Sequence, residues 1–210
     1  MVALFPPQRV VVNLTNSDLG LLPALFTYHE AIEAGIPKRH LYAMRSTGQI
    51  EQVARGIFMR SDSDELIDLD LAEIAIRSPN ATLCLTSALV RHDLTDANPM
   101  AIDVAIPAGS HRPAISPPVK WHRFGVDTFA IGRNLLPIYG QRKIGIYSAE
   151  RCIVDAFRLT WSEGDDLAYV ALRRWLGRPG SKPAALYEIA RNFPQALPMI
   201  LKAVQTFTYE

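Results

Sequence analysis

The stretch EAIEAGIPKRHLYAMRSTGQIEQVARGIFMR, residues 30–60, decides how this chain is read. Thr27 stands three residues before Glu30, the arrangement of a capping box, and predicts a short helix running to Ala34. Gly35 suits the left-handed conformation that ends such a helix, and Pro37 suits the first turn of the next. That second helix, Pro37 to about Thr47, is expected to turn Leu41 and Met44 inward, leave Lys38, Arg39, Tyr42 and Arg45 outward, and close at Gly48. Ile50 and Val53 before Arg55-Gly56, with Ile57 and Phe58 after it, predict two short strands around a tight turn.

In order, these features spell a winged helix-turn-helix. Ala31 is the small residue where the helices approach, Gly35 the turn, Leu41 and Met44 the anchors, and the hairpin the wing. A recognition helix of this kind lies in the DNA major groove, about 12 Å wide, with its N-terminal residues toward base edges. Between residues 37 and 60 there are five Lys or Arg (Lys38, Arg39, Arg45, Arg55, Arg60) against one acid, Glu51. The whole chain carries a net charge of only +1, so any attraction to phosphate must come from this local patch. The expected double-stranded DNA contacts are Lys38, Arg39, His40, Tyr42 and Arg45 on the helix, with Gln52, Arg55 and Arg60 on the wing. Tyr42 is equally suited to pack on the wing, and His40 to be a plain exposed residue. A winged helix that docks a protein instead of a duplex is the competing reading.

Outward from this stretch, apolar positions Leu19, Leu22, Leu25 and Phe26 have roughly helical spacing, with Ser17 or Asp18 as a cap. After Arg60 the charge changes sign: SDSDELIDLDLAE, residues 61–73, holds six acids and no base. A domain boundary is expected there, giving an N-terminal domain over 1–61 and an α/β domain with C-terminal helices over 62–210. Helices are predicted through about Arg77, over 82–92, over AERCIVDAFRLTW from Ser148, and as three segments across 165–205. MAIDVAIP, VKWHRF, DTFAIG and KIGIYS read as strands, so the fold class is α+β. Arg151 precedes Asp155 by four residues, which predicts a structural ion pair on one helical face.

Residues 16–60, with DLAEIA, LTSALVRHDLT and IYSAERCIVDAFR later on, resemble the AbiEi family of type IV toxin–antitoxin antitoxins. The resemblance rests on Gly56-Ile57-Phe58-Met59-Arg60 at the end of the wing. It rests also on Ser148-Ala149-Glu150-Arg151-Cys152-Ile153-Val154-Asp155, similar to the family's S-x-E-R-hydrophobic-hydrophobic-D helix. It implies a cytoplasmic bacterial protein whose N-terminal domain represses its own operon by binding inverted repeats. It also implies a C-terminal antitoxin-type domain that counters a nucleotidyltransferase toxin, without an obligatory stable complex between the two.

Other chemistry has little support in the residues. Asp103, with Lys120 seventeen positions on, is similar to part of a metal-dependent nuclease site, but Ala105 and Ile106 stand where a second carboxylate is needed. The histidines lack metal-ligand spacing, and no glycine-rich phosphate loop is present. Neither a catalytic residue, a metal nor a cofactor is expected. Cys84 and Cys152 read as buried structural thiols in a reducing compartment. Residues 1–14 are apolar but short and proline-broken, so neither a signal peptide nor a membrane span is expected. Arg173, Arg174, Arg178 and Lys182 form a second basic cluster, read as a solvated helix end or a contact to DNA flanks or to RNA.

Overall fold

The computed structural model describes residues 19, 20, 22–159 and 165–209. The cap expected at Ser17 or Asp18 lies outside these, as does the 1–14 stretch. The chain is α+β and divides into two compact units, Met1–Leu66 and Ile67–Glu210.

In the first unit, strand β1 (Leu25–Thr27) leads directly into helix α1 (Tyr28–Glu33), followed by α2 (Lys38–Ser46) and the hairpin β2 (Ile50–Ala54) and β3 (Ile57–Arg60). Helix was expected across Leu25 and Phe26. They form a strand instead, antiparallel to β3, with Leu25 opposite Met59 and Phe26 opposite Phe58. Both side chains are buried, so the alternation that marks a strand is absent from the sequence. The sheet order is β1-β3-β2.

Local chemistry sets the helix ends. Thr27 and Glu30 form the full capping box: the Thr27 N–H donates to Glu30 Oε2 (2.7 Å) and the Glu30 N–H to Thr27 Oγ1 (3.2 Å). At the far end of α1 the Ile36 N–H reaches back to Ala31 O and the Gly35 N–H to Ile32 O, both at 3.0 Å. This is a Schellman motif, and Gly35 takes the φ of +84° that it demands. The same motif ends α2, with Gln49 N–H on Met44 O, Gly48 N–H on Arg45 O, and Gly48 at φ +74°. Pro37 stands one position before α2, as its N-cap, and its carbonyl accepts from His40 and Leu41. Leu41 and Met44 are fully buried with Phe26, Ala31, Ile36, Ile50 and Phe58, and the Phe26 and Phe58 rings stack at 5.8 Å.

The second unit is a five-stranded mixed sheet, order β6-β5-β4-β8-β7, with helices packed on it. Its elements are α3 (Leu69–Arg77), β4 (Thr82–Leu83), α4 (Leu85–Arg91), β5 (Ile102–Pro107), β6 (Val119–Phe124), α5 (Val126–Phe129), β7 (Arg133–Tyr139), β8 (Arg142–Tyr147), α6 (Ala149–Arg158), α7 (Asp165–Leu176), α8 (Pro183–Ala190) and α9 (Leu197–Tyr209). Strands β5 and β6 are parallel although only the proline-rich loop over 108–118 joins them. A parallel crossover usually takes a dozen or more residues. This loop is held down where the Ser116 N–H donates to the buried carboxylate of Glu73.

Two expectations need correction here, and one strand was not foreseen. Residues 82–92 are not one helix: Thr82 and Leu83 form the central strand β4, antiparallel to β5 and parallel to β8. Gly145 lies opposite Thr82, where a Cβ would come within 2.4 Å of Thr82 Oγ1, so the close packing of this strand pair requires glycine. DTFAIG holds helix α5 rather than a strand, begun at Gly125. Strand β7 carried no strand signal because Pro137 interrupts it; the proline is tolerated because β7 is an edge strand. Cys84 and Cys152 are both fully buried free thiols, and burial pushes the Cys152 thiol well above its ordinary range. Among the described residues no helix is long and apolar enough to cross a membrane.

Candidate nucleic-acid interface

Helix α2 divides sharply. Leu41 and Met44 point into the core of the first unit, with His40 and Ala43 at the margins. Residues advance by about 100° each around an α-helix, so Arg45, Lys38, Tyr42, Ser46 and Arg39 share one arc of about 120°. All five are exposed. Tyr42 is 46% exposed and stands beneath Lys38, whose Nζ lies 5.9 Å from the ring centroid, a weak cation–π contact along the face. This partly answers the Tyr42 question: its neighbour is Lys38, on the same helix face. The three cations face solvent.

The hairpin projects from the same unit. Its tip, Arg55-Gly56, is fixed to the start of α1 by the Tyr28 N–H donating to Gly56 O (2.8 Å). Arg55 is exposed at that tip, and Gln52 lies on β2, where its side-chain amide donates to Ala54 O. Between the C-terminal end of α2 and the hairpin is a polar hollow of about 500 Å³, lined by Arg45, Gly48, Ile50, Glu51, Gln52 and Ser61. The geometry thus brings Arg45 and Gln52 to one recess and sets Arg55 at the hairpin tip.

Arg60 differs from the other basic residues. Its Nη1 donates to Leu19 O and Leu22 O, both at 3.0 Å, and its Nε and Nη2 grip both oxygens of Asp62 at 2.9 and 2.7 Å. This bidentate fork holds the Asp62 carboxyl below its ordinary range. Arg60 therefore braces its own chain rather than presenting its guanidinium outward. Its carbonyl partners, Leu19 and Leu22, lie some forty positions away, so the sequence held no local sign of them.

Elsewhere, the second basic cluster is dispersed over structural contacts. Arg174 forks onto Asp96, Arg178 donates to His92 O, and Arg173 stacks over Phe207 at 5.2 Å. Asp103 is buried on β5 beside Lys120 in register, and its Oδ1 is bonded to His122 Nε2 at 2.8 Å. The sequence reading passed over this Asp103–His122 pair. Residues two apart on a strand share a face, and β6 lies beside β5, so the pair was legible once the two strands were paired. No three His, Cys, Asp or Glu side chains among the described residues gather as a metal site.

The comparisons with known proteins bear on the first unit. No curated protein matches the chain. The crystal structure of the RV2827C protein from Mycobacterium tuberculosis matches with a TM-score of 0.47 and 20% identity, covering 89% of this chain and 80% of that one. Residues 24–61, which carry β1, α1, α2 and the hairpin, match the family AbiEi_4, described as transcriptional regulator, AbiEi antitoxin, in agreement with the resemblance read from the sequence.

Proposed function

We propose that residues 1–61 form a winged helix-turn-helix that binds double-stranded DNA, and that the protein is the autorepressor and antitoxin of a type IV toxin–antitoxin system. On this reading α2 is the recognition helix. Lys38, Arg39, Tyr42 and Arg45 face the major groove and its phosphates, His40 stays at the margin of the buried side of α2, and Gln52 and Arg55 on the hairpin meet the flanking backbone. The operator is an inverted repeat, the functional partner is a nucleotidyltransferase toxin, and residues 62–210 carry the antitoxin role. The protein acts by binding and not as an enzyme, in the bacterial cytoplasm. One observation supports this reading above the rest: a solvent-facing arc holding Lys38, Arg39 and Arg45, backed by the fully buried Leu41 and Met44, in the segment that matches the AbiEi regulators.

The test is titration of the protein with DNA of its own promoter across a salt series. Replacing Arg39 by Ala is expected to weaken binding by about 1–3 kcal/mol where it grips a base edge, and less where it meets only phosphate. Replacing Arg55 by Ala is expected to flatten the log–log salt slope by about one unit. Unchanged affinity for both variants would reject the DNA-binding face. A second reading, a protein-docking module, draws on Tyr28 and Ile32, exposed four positions apart on α1. It predicts no heparin or nonspecific DNA binding even at low salt.

A further inference from the structure

Helix α6 contains a charge imbalance that the proposed function does not use. Arg151 and Asp155 are both fully buried, one helical turn apart, and Arg151 Nε donates to Asp155 Oδ2 at 2.9 Å. Arg158 takes the other oxygen of the same carboxylate, Nη2 to Oδ1 at 2.9 Å, with its side chain 21% exposed. Two guanidiniums thus share one carboxylate. Nη1 of Arg151 is satisfied by Thr128 O and Ile131 O, at 2.7 and 2.8 Å. Its Nη2 and the Nε of Arg158 are buried with no hydrogen-bond acceptor among the described residues.

Aromatic rings supply part of the compensation. The Phe193 ring lies 4.4 Å from the Arg151 guanidinium carbon and 5.2 Å from that of Arg158, while Phe124 lies 5.5 and 4.8 Å from the same two atoms. Tyr147 covers Arg151 at 4.4 Å. Ring faces attract cations but give no acceptor in the plane of a guanidinium. The carbonyls at the C-terminal end of α6 also favour Arg158. The cluster still carries one positive charge in excess and two unmet N–H donors, and buried donors left unmet are costly. Both donors are shut off from solvent, so an anion beside the cluster offsets its charge without reaching them.

Room for one exists. Beside Arg158 is a cleft of about 370 Å³, lined by Gly125, Thr128, Arg158, Asn192, Phe193, Pro194 and Gln195. Small-molecule sites begin at roughly 300 Å³. We propose that this cleft, between α5, the end of α6 and the turn joining α8 to α9, binds a phosphate-bearing small molecule. The part-exposed edge of the Arg158 guanidinium, beyond the Nη2 held by Asp155 and the buried Nε, faces the phosphate oxygens. The Gln195 amide borders it beside Asn192, whose Nδ2 already donates to Glu188 O and Ile189 O, and the organic part rests on Phe193 and Pro194. A phosphate fits better than a single carboxylate because its greater charge offsets the excess cation more fully and its oxygens can serve Arg158 and Gln195 together. This site lies wholly in the second unit and stands apart from the DNA-binding reading.

The test is calorimetric titration of the full chain with inorganic phosphate and with a nucleoside 5′-monophosphate, at constant ionic strength. Saturable binding of both is expected, tighter for the monophosphate. Gln195 is exposed at the rim and outside the Arg–Asp cluster, so Gln195→Glu adds a repelling charge without disturbing the core. It is expected to weaken both probes by at least about tenfold, the loss of one charge-assisted contact. Arg158→Gln, which removes the excess charge, is expected to do the same. Equal affinity for the two probes would support the phosphate site and remove the apolar wall from recognition. No saturable binding of either probe at millimolar concentration, or binding that Gln195→Glu leaves unchanged, would overturn the proposal.

Discussion

Arg45 on α2 and Arg151 on α6 are the same residue type on similar helices, yet one faces solvent and the other is fully buried. Their own helices account for little of this. What differs is the company. Around α2 the apolar residues that need burial, Leu41 and Met44, occupy one side, and the basic side chains take the other. Around α6 the helices α4, α7, α8 and α9 pack close, and burial runs continuously from Arg151 to Phe157. A buried cation then needs its own partners, and Asp155, two backbone carbonyls and three rings supply them. In one unit arginine is held available by packing beneath it; in the other it is consumed as structure.

This contrast can be broken at several points. The largest effect is expected in the second unit: Asp155→Ala leaves two guanidiniums facing each other in the interior and should cost about 3–5 kcal/mol in urea denaturation. A loss under 1 kcal/mol would mean that the cluster is not the internal tie described here. Next, Leu41→Ala removes the anchor beneath α2 and should cost about 2–5 kcal/mol, with loss of the α2 face as a consequence. Arg39→Ala and Arg45→Ala should leave stability within about 0.5 kcal/mol of the parent, since both side chains are exposed. A larger drop would show that they share the fate of Arg151. The smallest effect belongs to the Arg60–Asp62 fork. Asp62 is held below its ordinary value of 3.8, so its contribution is present above that pH and lost as pH falls past it. Melting the parent and Asp62→Asn at pH 5 and pH 3 should show a difference at the higher pH that shrinks at the lower.

What could be read from the sequence was local. The Thr27–Glu30 box, the glycine exits at Gly35 and Gly48, the turn at Arg55-Gly56 and the four-residue spacing of Arg151 and Asp155 all lie within a few positions of one another, and each has its expected geometry. The overall α+β class followed from alternating strand and helix patterns. What was missed depends on distant partners. Leu25 and Phe26 become a strand because β3 is there to pair with them. Thr82-Leu83 is too short for any period to show, and only β5 and β8 on either side define it. Arg60 looked like a free cation until the Leu19 and Leu22 carbonyls met it. The 173–182 bases looked like one patch, but Asp96, His92 and Phe207 draw three of them apart. Arg158 pairs with Asp155 at a spacing of three and was legible in the sequence, but the rings of Phe124 and Phe193 over it were not.

The paired glycine exits of α1 and α2 have one more implication. Because main-chain bonds at Gly35 and Gly48 set where α2 begins its approach and where it stops, Lys38, Arg39, Tyr42 and Arg45 carry no duty in holding the unit together. Those four letters can therefore be rewritten with the scaffold inherited intact, and on the proposed DNA-binding reading divergence in what is recognised would outpace divergence in shape.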